Sequence, residues 1–373
     1  MTHDLVPQPV LTLEGRPIHL IGPARIYACG ITPYDVTHLG HAATFVWVDA
    51  AVRVLRHAGL ETLLVRNVTD VDDVLTEAAR RSNTPYDVFA AMHQYQFDHD
   101  LALLGVRRPE HEPRAHVFIP QVVALAQILV DVGAAYVARG SVYFRGGEVP
   151  DRSGVAEATA RGLLTQFGED PEDPFKEHPF DVPVWRASTA DEPSWPSPWG
   201  PGRPGWHAEC TAMVLSELGP GVDLHAGGAE LAFPHHAYEA AQAEAATGVT
   251  PFARAWLRVG TVQIAGEKMA KSTGNLVLVT DVLAHHPPAA LRLALLNRRW
   301  SLPWDYDESV VASAATTLEA LYSAAGRADG SPAAEAAVVA ALRTELDVPQ
   351  AVSVALESGG AAARTLVQVL ALQ

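Results

Sequence analysis

The pattern between Arg25 and Val68 constrains the fold more than any other part of this sequence. "RIYAC" (Arg25–Cys29) has the composition of a short buried strand, and "ETLLVRNV" (Glu61–Val68) has that of the next strand. Between them, "HAATFVWVDAAVRVLRHAG" (His41–Gly59) repeats apolar residues at helical spacing and ends at a glycine, a common helix stop. Strand, helix and strand in this order form a βαβ unit. The sequence therefore predicts an α/β fold with a parallel sheet.

The composition and the apolar pattern of the remaining chain predict further structural units. Residues 138–202 are rich in Pro, Gly and Trp, which favours an insertion of short strands and long loops. The patterns before and after it predict a helix over Ile119–Tyr136, a helix from Trp206, a strand from Val222 and a helix after Phe233. The predicted division is a first half of the sheet domain at 1–137, a connective insertion at 138–202, a second half at 203–260, a loop-containing region at 261–303 and an Ala-rich helical bundle at 304–373.

Composition excludes several classes of protein. A chain of 373 residues with 48% apolar residues is long enough for two or three packed units. Its formal net charge of −16 disfavours general binding to nucleic acids or anionic membranes. Two cysteines are too few for a disulfide framework. The start carries no basic stretch followed by a long apolar run, and no run of about 18 apolar residues occurs. We therefore expect a soluble cytoplasmic protein without a membrane span.

The two cysteines and one histidine suggest a metal site. Cys29 ends the first predicted strand, and Cys210 lies early in a predicted helix. His235 and Glu239 are four residues apart on another predicted helix, so they share a face. Thiolate and imidazole ligands suit zinc, and a carboxylate can complete the set. The alternative from spacing alone is a pair of small buried cysteines with surface histidines and no metal.

Two further segments suggest phosphate binding. "HLGH" (His38–His41) stands where the first helix begins, and helix N-termini and imidazoles can stabilise a polyphosphate. "EKMAKSTGN" (Glu267–Asn275) places two lysines, Lys268 and Lys271, on a turn after a strand-like run. The alternatives are an ordinary helix start and a solvated basic loop. Likewise, Asp70 or Asp72 in "RNVTDVDD" either lines a pocket or caps the next helix, and Trp206 is either a pocket wall or core.

The order of these motifs resembles the cysteinyl-tRNA synthetase group of class I synthetases. "CGITPYDVTHLGHAATF" and "SWPSPWGPGRPGWHAECTAM" are especially similar to its tRNA-independent relatives, the cysteine ligases of mycothiol biosynthesis. The resemblance covers residues 25–300 by motif, and more loosely the C-terminal part. It implies a Rossmann-like, HUP-type parallel-sheet nucleotide-binding domain with an insertion and a C-terminal helical bundle.

The resemblance also implies an activity and a set of site residues. ATP and L-cysteine would form cysteinyl-adenylate and pyrophosphate, and the amine of an amino sugar such as glucosaminyl-inositol would then displace AMP. One Zn²⁺ per chain would be held by Cys29, Cys210 and His235, with Glu239 as a further candidate, and Mg²⁺ would accompany ATP. His38, His41, Lys268 and Lys271 match the catalytic positions. The implied substrate and adenylate contacts are Cys29, Gly30, Ile31, Thr32, Thr44, Asn67, Val68, Thr69, Trp206, Gly228, Ala229, Glu230 and Val262.

Some residues depart from the family pattern and keep other acceptors open. Ala229 and Glu230 replace the usual Ser-Asp, and Ala270 replaces the usual Ser of the signature loop (Lys268–Ser272). Glu239 resembles the tRNA synthetases rather than the mycothiol ligases. About 100 residues follow the signature loop, fewer than an anticodon-binding region needs, so no tRNA partner is expected. The alternatives are a ligase for another amine, a truncated tRNA synthetase, and an inactive binding protein that keeps zinc for structure. The oligomeric state is not assigned.

Overall fold

The computed structural model describes residues 9–34, 36–190, 192–269, 274–328 and 330–373. Its strands are β1 (Leu11–Leu13), β2 (Arg16–Ile18), β3 (Ala24–Ile31), β4 (Thr62–Val68), β5 (Ala135–Ala138), β6 (Ser141–Phe144), β7 (Val182–Ala187), β8 (Gly202–Pro204), β9 (Val222–Gly228), β10 (Ala253–Val259), β11 (Val262–Ile264), β12 (Glu267–Lys268) and β13 (Trp304–Asp305). Its helices are α1 (Leu39–His57), α2 (Asp73–Arg81), α3 (Tyr86–Leu103), α4 (Ile119–Asp131), α5 (Val149–Arg152), α6 (Glu157–Gln166), α7 (Trp206–Leu218), α8 (His235–Thr247), α9 (Val279–Leu283), α10 (Pro288–Leu296), α11 (Glu308–Ala325), α12 (Pro332–Arg343), α13 (Val348–Ser358) and α14 (Gly360–Val369).

A four-stranded parallel sheet lies at the centre of the molecule, in the order β10-β9-β3-β4. The chain leaves β3 towards β4 on one side, while β9 and β10 extend the sheet on the other side. β3 and β9 are therefore the two strands at which the strand order reverses. In open parallel sheets, ligands bind at the carboxyl ends of such a strand pair. The predicted α/β class is confirmed. The topology also indicates that a ligand would bind near Cys29–Ile31 and Gly227–Gly228, at the carboxyl ends of β3 and β9.

Helix α1 forms because its apolar residues cover most of its surface. Its buried side chains include Leu39, Phe45, Val46 and Trp47, and it packs against β4, β9 and β10. The His38 side chain caps its start by accepting hydrogen bonds from the backbone N–H groups of residues 40 and 41. An imidazole is an unusual N-cap, since Ser, Thr, Asp and Asn are preferred there. The first phosphate motif is thus built into the start of a buried helix.

The insertion contains an antiparallel sheet in the order β5-β6-β7-β8. The predicted helix over Ile119–Tyr136 is wrong at its end, because α4 stops at Asp131 and Ala135 already pairs with Phe144 in the sheet. Gly133, with a φ of +77°, turns the chain between the two elements. Helix α6 is not among the predicted elements, whereas α2 is the helix for which Asp70 and Asp72 were the candidate caps. The division of the chain at 137, 202, 260 and 303 stays a prediction.

The C-terminal part is helical, as predicted. Helices α11–α14 pack on one another, and α10 connects them to α1. Arg292 on α10 is buried and donates from Nη1 to Leu104 O at 2.9 Å and from Nε to Leu370 O at 2.6 Å. Its Nη2 pairs with the buried carboxylate of Asp49 on α1. Among the described residues, no helix is long and apolar enough to span a membrane.

Candidate active site at the carboxyl ends of β3 and β9

A cleft of about 360 Å³ opens at the strand pair where the order reverses. Its floor comes from the ends of β3, β9 and β10, and its sides come from α1, α7 and the segment around β11 and β12. Cys29, Cys210 and His235 lie at one part of the lining, and His38, His41 and Lys268 lie at another. The fold therefore brings the predicted metal and phosphate motifs into one cavity.

Four potential metal donors converge at the buried part of this cleft. Cys29, Cys210, His235 and Glu239 place their donor atoms within 4.8 Å of one another, and all four residues are buried. The Cys29 Sγ lies 3.7 Å from each oxygen of Glu239, and His235 Nε2 lies 3.5 Å from Glu239 Oε1. The donors come from β3, α7 and the first turn and a half of α8.

The electrostatics of these donors fit a bound cation. The contact with Cys29 lowers the pKa of Cys210 to about 7, while burial raises the pKa of Cys29 well above its ordinary value. Burial opposes ionisation of Glu239, but His235 and His225 outweigh it and lower the pKa of that carboxyl. A thiol and a carboxylate in contact in a buried site are a costly arrangement without a cation. Two thiols, an imidazole and a carboxylate form the donor set that suits zinc.

Aromatic and imidazole rings hold His235 in place. Trp206 stacks on the His235 ring at a centroid distance of 4.2 Å. The Nδ1 atoms of His207 and His235 are 3.0 Å apart, so one of them donates to the other. A metal-bound histidine usually uses its second nitrogen in such a hydrogen bond, which sets the ring orientation. His235 therefore presents Nε2 to the other three donors.

The middle of the cleft is lined by small and polar groups. Gly30 N donates to Asn67 Oδ1 at 2.8 Å, and Asn67 Nδ2 donates to Thr69 Oγ1 at 3.0 Å. These contacts join the ends of β3 and β4. Asn67 and Thr69 are buried, so their polar groups are fixed by each other rather than by solvent. The carboxylate of Glu230 lies over Gly228, within 2.4–2.7 Å of where a Cβ would stand.

The phosphate-type motifs meet at the start of α1. His38 and His41 stack with ring centroids 3.8 Å apart, and His38 Nδ1 accepts from Gly40 N and His41 N. Leu39 N donates to Val277 O at 3.0 Å, which holds the segment after the lysine motif against this helix start. Lys268 is exposed and lines the cleft, and its carbonyl accepts from Asn275 Nδ2 at 3.3 Å. Lys271 lies outside the described residues.

Most of the residues predicted for the site line this one cleft. They are Cys29, Gly30, Ile31, Thr32, His38, His41, Thr44, Asn67, Thr69, Trp206, Cys210, Gly228, Glu230, His235, Val262 and Lys268. Val68 and Ala229, both described, are not part of the lining, because Val68 is buried in β4 and Ala229 starts a short 3₁₀ turn. Glu239 is buried and is not part of the lining, but its carboxylate belongs to the group of potential metal donors. Asp72 is the N-cap of α2, which settles the choice between Asp70 and Asp72 as a cap.

Two histidines beside the donors do not appear among the predicted metal ligands. His225 on β9 and His236 on α8 are completely buried next to Cys29 and Glu239. A histidine in a buried strand and a pair of adjacent histidines at a helix start are the signals that could have marked them.

A further signal in the sequence concerns the lysine motif. The whole chain has three lysines, Lys176, Lys268 and Lys271, and two of them lie in this one motif.

Two solved structures that share this fold are tRNA synthetases. The methionyl-tRNA synthetase of Mycobacterium tuberculosis, in complex with methionyl-adenylate, matches with a TM-score of 0.64 and 17% identity over 94% of this chain and 82% of its own. The Agrobacterium radiobacter K84 agnB2 LeuRS matches with a TM-score of 0.65 and 11% identity over 97% of this chain and 85% of its own. At these identities the likeness establishes the fold alone.

Curated relatives carry two names. A protein of Acidothermus cellulolyticus named L-cysteine:1D-myo-inositol 2-amino-2-deoxy-alpha-D-glucopyranoside ligase is 42% identical over 88% of this chain and 83% of its own. One with the same name from Streptomyces griseus is 42% identical over 94% of this chain and 86% of its own. A cysteine–tRNA ligase of Legionella pneumophila is 41% identical over 84% of this chain and 69% of its own. The model of the tRNA synthetases class I (C) catalytic domain matches residues 19–316. The chain therefore belongs to this family of ATP-dependent ligases, as its motifs predict.

Proposed function

We propose that this protein activates L-cysteine as cysteinyl-adenylate and transfers it to the amine of an amino sugar of the glucosaminyl-inositol type. The observation that carries the proposal is the arrangement of one cleft. Donors that suit a thiolate-binding metal lie at its buried part, and the stacked imidazoles of His38 and His41 lie at the start of α1. A substrate with a thiol and a carboxylate can span the two, so that its carboxylate meets the α-phosphate of ATP.

The metal end would select cysteine. Cys29, Cys210, His235 and Glu239 would hold Zn²⁺, which lowers the pKa of a bound thiol and prefers sulfur to a neutral hydroxyl. Trp206 and the network of Gly30, Asn67 and Thr69 would position the rest of the amino acid. Serine would bind weakly, because its hydroxyl remains protonated at neutral pH.

The phosphate end would stabilise charge rather than form bonds. In adenylate formation a carboxylate oxygen bonds to the α-phosphorus of ATP, and the bond to pyrophosphate breaks. Such a transfer depends on position and on groups that stabilise the developing negative charge. His38, His41, Lys268 and Lys271 would provide these groups, and Mg²⁺ would accompany ATP and neutralise part of its charge. Thr44 and Glu230 would contact the nucleoside part.

His41 is expected to act as an uncharged ring. Burial, and next the neighbouring His38, lower the pKa of His41 to about 3 from its ordinary 6.5. The ring is therefore neutral from pH 6 to pH 9. We expect His41→Asn to lower kcat/KM for ATP in pyrophosphate exchange by about 10²-fold, by the same factor across this range. A deficit that grows as the pH falls from 7 to 6 would mean that His41 binds phosphate as a cation.

Lys271→Ala is expected to slow cysteine-dependent ATP–pyrophosphate exchange by about 10²–10³-fold, because it removes a positive charge from the leaving pyrophosphate. The bound metal and the melting temperature should stay unchanged, since Lys271 is not one of the candidate metal donors. Lys271→Arg is the matched control, which keeps the charge and should retain most of the rate. An unaltered rate in the alanine variant would refute the role of Lys271.

The second step would form an amide. The unprotonated amine attacks the carbonyl carbon of the adenylate, the bond to the phosphate oxygen breaks, AMP leaves and the amine nitrogen loses a proton. The test is incubation with ATP, L-cysteine and glucosaminyl-inositol, followed by chromatography for AMP and the amide. Cysteine-dependent pyrophosphate exchange without AMP release on adding this amine would overturn the acceptor and leave activation intact.

A second candidate acceptor is tRNA. The relatives named cysteine–tRNA ligase, from Legionella pneumophila and Rhodospirillum centenum, are 41% and 40% identical to this chain. Glu239, which resembles the tRNA synthetase pattern, points in the same direction. Aminoacylation of tRNA(Cys) with labelled cysteine distinguishes the two acceptors. Turnover of another amine in the same assay would instead identify a ligase with a different acceptor.

A further inference from the structure

A second cavity, of about 260 Å³, lies at the edge of the central sheet. Its walls come from α5, from α8 and from β10, which is the last strand on one side of the sheet. Among the described residues, none lines both this cavity and the active-site cleft. Helix α8 contributes His235 to the cleft and its neighbour His236 to the cavity. The cavity is therefore distinct from the site of the proposed reaction.

Small side chains on α8 make the space. Ala237, Ala240 and Ala241 all line the cavity, and their spacing of three and four residues puts them on one face of the helix. Val149 of α5 and Phe233, just before α8, add further apolar surface. Ligand pockets begin at roughly 300 Å³ and are lined mainly by apolar groups with a few polar ones. A small, largely apolar molecule therefore fits this cavity.

One wall of the cavity carries a cation without a counter-ion. Trp256 and Arg258 are two residues apart on β10, so their side chains share a face of the strand. The guanidinium carbon of Arg258 lies 4.5 Å from the centre of the Trp256 ring, and its Nε is buried without a hydrogen-bond partner. Burial lowers the pKa of Arg258 although Glu14 acts in the opposite direction, and no carboxylate of the described residues forms an ion pair with it. A largely buried cation of this kind calls for an anion.

A second polar group without a partner lines the same cavity. His236 is completely buried, and neither of its ring nitrogens forms a hydrogen bond with a described residue. Its ring lies 5.2 Å from the Trp256 ring, so Trp256 contacts both His236 and Arg258. An imidazole offers an N–H donor, and buried polar atoms in native proteins are almost always paired. The two residues together therefore provide donors for one hydrogen-bond acceptor with a negative charge.

We propose that this cavity binds a small organic acid, with one carboxylate on an apolar body about the size of a single ring. The carboxylate accepts hydrogen bonds from Arg258 and His236, and the apolar body packs against Phe233 and the alanines of α8. A carboxylate matches the planar guanidinium, which can donate two parallel hydrogen bonds to it. The proposal does not depend on the proposed function, because it uses neither the metal donors nor the phosphate motifs.

The competing interpretation is a cavity that holds only ordered water. Isothermal titration calorimetry on the full-length protein separates the two, with benzoate as the probe. Benzamide, a neutral molecule of the same shape, and inorganic phosphate are titrated at the same ionic strength. We expect one benzoate to bind per chain, at least about 10-fold more tightly than benzamide. Absence of saturable benzoate binding overturns the proposal, and phosphate that binds as tightly as benzoate overturns the apolar part of the ligand.

A substitution at the cation tests its role. Arg258→Met keeps most of the apolar stem and removes the charge, so it should weaken benzoate binding by about 10–100-fold. Arg254→Met is the matched control, because Arg254 is an exposed arginine on the same strand and does not line the cavity. It should bind benzoate as the unmodified protein does. Equal affinities of Arg258→Met and the unmodified protein would mean that Arg258 does not hold the carboxylate.

Anomalous diffraction at the bromine edge needs no variant and covers the case in which Arg258→Met does not fold. Crystals of the protein soaked with 4-bromobenzoate should give a bromine peak in the cavity, among Phe233 and the alanines of α8. A peak in the active-site cleft alone would overturn the proposal. Cysteine-dependent pyrophosphate exchange by the same preparation tests the proposed function separately, since neither result determines the other.

Discussion

Cys210→Ser is expected to lower kcat/KM for cysteine in ATP–pyrophosphate exchange by more than about 10³-fold. Cys210 is one of the four donors Cys29, Cys210, His235 and Glu239. Its thiol has a pKa of about 7 and therefore ionises readily near neutral pH. A serine hydroxyl does not ionise there and is a poor zinc ligand. Loss even of groups that only support a metal ligand costs 10–100-fold in affinity or activity, so loss of a ligand itself should cost more. Bound zinc should fall by one equivalent relative to the unmodified chain.

The matched control for this change lies next to it on α7. Thr211 is also buried, and its hydroxyl contacts His207 O and Gln242 rather than the metal donors. Thr211→Ser keeps that hydroxyl and should retain zinc and most of the exchange rate. If Cys210→Ser retained its full zinc content and its selectivity for cysteine, the assignment of Cys210 as a ligand would be wrong.

Gly30→Ala is expected to lower the free energy of unfolding by about 3 kcal/mol or more and to abolish adenylate formation. A Cβ on Gly30 would stand 1.6 Å from the backbone oxygen of Asn67, and the two strands are paired on either side of this point, at Ala28 with Arg66 and at Ile31 with Val68, with an irregular register between. Overpacking of a rigid interior costs 1–3 kcal/mol, and a clash with backbone lies at or above that range. Urea denaturation followed by circular dichroism measures the change.

The same substitution at an open position is the control. Gly162 lies within α6, and a Cβ there would meet nothing within 4 Å. Because alanine is a better helix former than glycine, Gly162→Ala should raise the free energy of unfolding by about 0.5–1 kcal/mol. Equal stabilities of the Gly30→Ala variant and the unmodified protein would contradict the close packing of β3 against β4.

Periodic patterns made the central sheet and α1 predictable. The residues of α1 are apolar at helical spacing over five turns, and β3 and β4 are short apolar runs on either side of it. The end of α4 was not predictable in this way. Ala135 and Tyr136 continue the apolar pattern of the helix, so the pattern does not reveal that Gly133 has turned the chain into a strand.

The candidate site was predictable only in part, because the fold brings together segments that are far apart in the chain. Cys29, Cys210 and His235 belong to three segments far apart in the chain, and their spacing alone left zinc as one of two interpretations. The resemblance to a known family supplied the grouping. His225 and His236 illustrate the limit of sequence reasoning, because a histidine in a buried strand becomes informative only when its spatial neighbours are known.

The buried guanidinium of Arg292 has a practical consequence for handling the protein. Because the side chain is buried, water cannot replace a partner that is lost. Three separate segments are joined by it: α1 through Asp49, the end of α3 through Leu104, and the segment after α14 through Leu370. Shortening the chain before Leu370 would deprive this cation of an acceptor and loosen the helix that carries His38 and His41. Affinity tags, cleavage sites and fusion partners therefore belong beyond Leu372 or at the other terminus, not within α14.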